Sequence, residues 1–174
     1  MQFLTFMLSE EVYGVEVSKV REVLEVIDIT KVPRMPPFMR GVINLRGGVV
    51  PVVDLAMKFG MDAIVNTVNT CIIVLEVEVN GDLVVVGALA DSVREVIELD
   101  LSQIEPAPRI GTTLNTEFIE GIGKRDDEFI IILTIDRIFS VSEITAVKTG
   151  VQEEEEEEEV SEEDEKISQT EEDG

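Results

Sequence analysis

Residues able to do chemistry are scarce in this chain of 174, and histidine does not occur at all. That removes Ser-His-Asp and Cys-His nucleophile activation and every His-containing metal site. The single cysteine, Cys71, has no base beside it and sits in the apolar run Cys71-Ile72-Ile73-Val74-Leu75. A reduced, buried core thiol is the expected state. Gly121-Ile122-Gly123-Lys124 superficially resembles a phosphate loop but lacks the full glycine spacing and the Ser or Thr after Lys, so it reads as a turn. Asp54 and Asp136 end corresponding strands; as a carboxylate pair they could do acid–base work, but at matched positions they more simply cap the helices that follow. The acidic C-terminal residues offer no spaced ligand loop with a turn-forming glycine. No catalytic residue, metal site or cofactor is therefore expected, and the protein reads as a non-enzymatic binding protein.

One charged residue does stand out. Arg46 lies in an otherwise apolar hairpin, Asn44-Leu45-Arg46-Gly47 followed by Gly48-Val49-Val50-Pro51-Val52-Val53-Asp54-Leu55. A guanidinium there can offer bidentate bonds to a carboxylate or to backbone carbonyls of a partner.

The elements that must position these residues repeat. Residues 14–26 align without gaps on residues 87–99, matching Gly, Val, Arg, Glu, Val and Glu. With small insertions, Val32-Pro33-Arg34 then parallels Ala107-Pro108-Arg109. Phe38-Met39-Arg40-Gly41 parallels Phe118-Ile119-Glu120-Gly121, and Val53-Asp54 parallels Ile135-Asp136. Four matches in the same order imply two copies of a small domain, since the spacing is too long for a solenoid repeat. Val and Ile dominate short runs bounded by Gly, Pro, Asn and Asp, which predicts an all-β fold with a little helix. Asn80-Gly81 is a type I′ hairpin signal; Arg46-Gly47-Gly48 and Arg125-Asp126-Asp127 turn the equivalent hairpins, the second between strands 119–123 and 129–133. Strands this apolar need cover on both faces, which two small closed barrels packed together would supply. Short helices are predicted over 55–59, stopped by Gly60, and over 136–147, where Ile138, Val141, Ile144 and Val147 share a face.

Charge divides the chain unevenly. Residues 151–174 hold fourteen acids against one base, Lys166, so this tail carries −13 of the net −23 and the body −10. Like charges at i,i+4 and scant apolar area predict disorder over 149–174. An acidic body repels a phosphate backbone, which makes nucleic acid an unsuitable partner. No apolar run approaches the ~20 residues of a membrane helix, so no direct membrane insertion is expected. The opening Met1-Gln2-Phe3-Leu4-Thr5-Phe6-Met7-Leu8 lacks a basic start and a cleavage site, and reads as a strand. With the reduced cysteine, this points to the cytoplasm.

From Phe3 to about Val147 the chain resembles the CheW family of bacterial chemotaxis coupling proteins. The resemblance rests on Tyr13-Gly14-Val15-Glu16-Val17, Lys19-Val20-Arg21-Glu22-Val23, Ile29-Thr30-Lys31-Val32-Pro33, Arg40-Gly41-Val42-Ile43-Asn44-Leu45-Arg46-Gly47 and Val50-Pro51-Val52-Val53-Asp54-Leu55. In the second half it rests on Asp91-Ser92-Val93, Ile104-Glu105-Pro106-Ala107-Pro108, Phe118-Ile119-Glu120-Gly121 and Ile131-Ile132-Leu133-Thr134-Ile135-Asp136. It implies two tandem five-stranded SH3-like β-barrel subdomains: residues 1–148 as one CheW-like domain, divided at about 12–68 and 70–148, with strand 3–8 a candidate to join the second. It also implies an adaptor on which no reaction occurs, coupling the cytoplasmic tip of methyl-accepting chemotaxis receptors to the regulatory domain of the histidine kinase CheA. Recruitment to membrane receptor arrays would run through these partners. Val20, Glu22 and Arg46 match receptor-coupling positions of the family; Gly41, Asn44 and Gly47 are expected to be structural, in tight turns; no short motif marks the kinase surface. Gly48, Ala90 and the acidic extension depart from the family pattern, and none of these touches Arg46. A paralogue serving another array, such as pilus motility or development, is the second reading. A small-ligand barrel or enzyme is the third.

Overall fold

The computed structural model describes residues 1–106 and 118–139. The tail at 149–174 and most of the helix expected over 136–147 lie outside these residues. Within them, Val- and Ile-rich segments form eleven strands: β1 (Gln2–Leu8), β2 (Glu11–Glu16), β3 (Val20–Glu25), β4 (Met39–Leu45), β5 (Gly48–Asp54), β6 (Cys71–Val79), β7 (Asp82–Ala90), β8 (Ser92–Glu98), β9 (Ile104–Glu105), β10 (Ile119–Arg125) and β11 (Glu128–Leu133). Two one-turn helices, α1 (Leu55–Lys58) and α2 (Ile135–Ile138), follow β5 and β11.

Among the described residues all four hairpins turn on two residues with positive φ, the requirement of a type I′ turn. They are Ser9-Glu10 (51° and 75°), Arg46-Gly47 (51° and 82°), Asn80-Gly81 (53° and 81°) and Asp126-Asp127 (50° and 64°). Gly48 and Arg125, expected in the turns, instead begin β5 and end β10.

The strands form a five-stranded sheet in the order β3-β6-β7-β5-β4 and a six-stranded sheet in the order β8-β1-β2-β11-β10-β9. These are the two SH3-like units. They correspond strand for strand: β3 pairs antiparallel with β6 as β8 does with β1, and β5 pairs parallel with β7 as β11 does with β2. The extra strand β9 is only two residues long; its counterpart in the five-stranded sheet is the single bridge Thr30↔Val42.

Sheet membership does not divide the chain at 68–70. The chain crosses into the five-stranded sheet at the 3-10 turn Val17–Lys19, completes that sheet by Ala90, and returns at Asp91. The five-stranded sheet therefore occupies 20–90, while the other is built from 2–16 together with 92–133. The sequence repeat and the folded unit are out of phase, because each sheet takes three principal strands from one copy and a hairpin from the other. Nor, among the described residues, does either ladder close: β3 and β4 end one sheet, β8 and β9 the other.

Side-chain alternation explains why consecutive positions are apolar. On β1, Phe3 enters a small cluster with Val12, Ile97, Leu99, Ile130 and Ile132, inside the six-stranded sheet. Leu4, Phe6 and Leu8 point the opposite way, into a larger core shared with β5, β6 and β7. β11 behaves alike, with Ile130 and Ile132 in the small cluster and Leu133 in the large one. The sheets thus share one continuous core. Full burial of such side chains contributes roughly 1.5–3 kcal/mol each, which favours the reciprocal exchange over two free-standing halves.

The paired aspartates do not play matched parts. Ladder registry sets Val52 against Gly41 and Ile132 against Gly121, so the counterpart of Asp54 is Thr134 and not Asp136. Asp54 caps α1, accepting from the Met57 amide at 3.2 Å, and also accepts from the Ile64 amide at 2.9 Å. Asp136 instead lies in the first turn of α2 and reaches across to other segments. They form no carboxylate pair.

Candidate functional site

Arg46 sits at the first central position of the β4–β5 turn, where a left-handed conformation favours Gly, Asn or Asp over a long side chain. Two neighbours make it tenable. Gly47, at φ 82°, takes the second left-handed position, and the Gly47 amide donates to Asn44 Oδ1 at 3.0 Å. Asn44 lies in β4 and ties the turn to its own strand.

The Arg46 side chain then reaches Glu22 on β3, with Nη2 donating to Oε2 at 2.6 Å. Since β3 and β4 are opposite ends of their ladder, this ion pair spans the open seam that backbone bonds leave. Arg46 remains 77% exposed against 22% for Glu22, so the guanidinium keeps most of its surface for another molecule. Glu22 Oε1 is buried and has no hydrogen-bond partner. An acceptor left so is costly.

Val20 and Glu22 belong to one strand but differ in setting. Val20 is half-buried and packs on the main core, leaving less free apolar area than a helix-docking role predicts. The free area lies on residues absent from the expected set: Val23 on β3 is 42% exposed and Val49 on β5 51%. Strict alternation along Val20–Glu25 was the signal for Val23, because the outward face carries Arg21, Val23 and Glu25. Gly41 is not in a turn. It occupies a bulge in β4 at φ 139°, and a Cβ there would collide with the Thr30 carbonyl oxygen. Its counterpart, Gly121, faces the Glu105 carbonyl in the same way.

The other barrel closes its seam by the same means. Arg125 on β10 approaches Glu95 on β8 at 3.7 Å, and Arg94 binds Glu128 at 2.7 Å. Glu95 is the repeat counterpart of Glu22, and its backbone is held by the buried Thr5 hydroxyl, which donates to the Glu95 carbonyl at 2.6 Å. The alignment of Glu22 on Glu95 could have revealed this pair.

The remaining candidate groups of the described residues have structural settings. Cys71 is buried, and burial first, then the Asp91 charge, pushes its thiol pKa up, away from the nucleophilic thiolate. Lys19 donates to Asp136 at 3.0 Å, and this bond holds its ammonium pKa above the ordinary value. Among the described residues no group of His, Cys, Asp or Glu could hold a metal ion, and no helix is long and apolar enough to cross a membrane.

Two SH3-like barrels that exchange hairpins and present an arginine at an ion-paired seam define a class of double-barrel binding scaffold. Comparison with known proteins narrows this. Residues 2–143 match the family described as a CheW-like domain. A chemotaxis protein CheW from Klebsiella aerogenes is 37% identical over 146 residues, spanning 84% of this chain and 86% of that protein. One from Thermotoga maritima is 34% identical over 153 residues, spanning 86% and 93%. The crystal structure of the scaffolding protein TtCheW from Thermoanaerobacter tengcongensis superposes with a TM-score of 0.72 at 40% identity, covering 82% of this chain and 94% of that one. The chain belongs to the CheW family of chemotaxis scaffold proteins.

Proposed function

We propose that the protein is a non-enzymatic adaptor that couples methyl-accepting chemotaxis receptors to the regulatory domain of the histidine kinase CheA. It works in the cytoplasm and reaches the membrane only through its partners. The receptor contact is assigned to Val20, Glu22 and Arg46. The observation that carries this assignment is the Arg46–Glu22 pair, an exposed guanidinium held in a strained turn beside a buried carboxylate oxygen with no donor. A partner segment offering both an acceptor and a donor would satisfy the two groups together. Val23 and Val49 add apolar area on the same barrel. Family membership supports the kinase as second partner; its surface is left unassigned.

Cosedimentation with a receptor cytoplasmic fragment and, separately, with CheA tests the proposal. Both are expected to bind the wild-type chain. A folded Arg46→Glu variant should lose the receptor and keep the kinase. Failure of the wild type to bind either partner, or equal receptor binding by the variant, sinks the proposal.

A further inference from the structure

One carboxylate joins three segments that the chain keeps far apart. Asp136 Oδ2 accepts from Lys19 Nζ at 3.0 Å, and Asp136 Oδ1 accepts from the Glu78 amide at 2.9 Å. Lys19 ends the 3-10 turn by which the chain crosses from the six-stranded to the five-stranded sheet. Glu78 lies in β6 beyond the reach of β3, whose first residue, Val20, stands opposite Leu75. Among the described residues no strand covers the Glu78 amide on that side, and Asp136 supplies the acceptor. The two charged side chains are 28% and 33% exposed and line an open cleft of about 490 Å³ with Glu16, Glu120 and Thr134. The other crossover has its own, different tie: Asp91 Oδ2 accepts from the Ser9 amide at 2.7 Å.

Lys19 is followed directly by Val20 and, two residues later, by Glu22. We infer that Asp136 is a positioning residue: a latch from α2 that fixes where β3 begins and how the two sheets are oriented, and so presents the receptor-binding face. The inference rests on the reading that β3 carries the receptor contact. Asp136 itself is not assigned a contact with the receptor.

Asp136→Ala, Asp136→Asn and Lys19→Met in the full chain separate a latch from a mere stabilising bond. In Asp136→Ala, exchange of the Glu78 amide hydrogen should speed up about tenfold or more. Asp136→Asn, which keeps an amide oxygen for that donor, should show much less acceleration. Residual dipolar couplings should report a changed orientation between the two sheets in Asp136→Ala and Lys19→Met. Receptor-fragment affinity should fall roughly 3–10-fold in both, and less than additively in the double variant, as expected for two partners in one coupling element. Unchanged sheet orientation in Asp136→Ala would overturn the latch, as would wild-type receptor affinity in all three variants. If the wild type fails to bind receptor, the adaptor reading falls, while the exchange and orientation measurements still decide the latch. Should Asp136→Ala not fold, Lys19→Met carries the orientation and affinity measurements, and unchanged orientation in it would overturn the latch.

Discussion

Arg46 stands out in the sequence as a charge in an apolar hairpin; the geometry of its ion pair does not. Glu22 lies 24 residues away, and only the sheet order reveals that the two meet across an open seam. The pair itself adds little stability, because Arg46 is largely exposed and exposed ion pairs contribute about 0–1 kcal/mol. Replacing Arg46 should therefore change binding far more than folding. Lys19 permits a sharper test at this scale. Its bond to Asp136 raises the folded-state pKa above the ordinary 10.5. The stabilisation is accordingly complete below the unfolded pKa and disappears as pH rises through the folded one. Urea unfolding of wild type and Lys19→Met should differ by roughly 0.3–1 kcal/mol at pH 8. That difference should shrink above pH 10.5. A gap that stays constant to pH 12 would mean that the lysine acts through its alkyl stem.

Among the elements, the β4 bulge concentrates the constraint. Gly41 permits both a φ of 139° and the close approach of Thr30, whose amide and carbonyl bond Val42 at 2.8 Å each. Gly41→Ala should cost on the order of 1–3 kcal/mol from backbone strain, and more from the collision with the carbonyl. Gly47→Ala meets only the left-handed penalty of about 1 kcal/mol, since its surroundings are open. Chemical denaturation of both variants checks the ranking; equal losses would show that Thr30 yields. Three hairpins were readable, Asn80-Gly81 above all, because type I′ geometry selects its residues; Ser9-Glu10, which turns β1 into β2, carries no such residue signal. Gly41 was misread as a turn glycine because a bulge is a relation between strands and leaves no local pattern. The placement of Asp136 opposite Asp54 failed for a related reason. Sequence alignment matched two aspartates, whereas ladder registry pairs Asp54 with Thr134.

At the scale of the whole molecule, the duplication was visible and the exchange was not. Repeats report ancestry along the chain; sheet membership reports which apolar faces meet, and these are offset by one hairpin. A fragment of residues 12–68 lacks β6 and β7, the two strands that join β3 to β5. It should be unfolded by circular dichroism, and an independently folded 12–68 would contradict the exchange. The exchange also joins the two ion-paired seams in one body, since strands of both sheets pack into a shared core. The most direct test of the proposed adaptor role is the autophosphorylation rate of CheA reconstituted with a receptor cytoplasmic fragment. Adding the wild-type chain should bring the kinase under receptor control, and a folded Arg46→Glu chain should not. Kinase control that is the same without the chain, or the same with the Arg46→Glu variant, would contradict it.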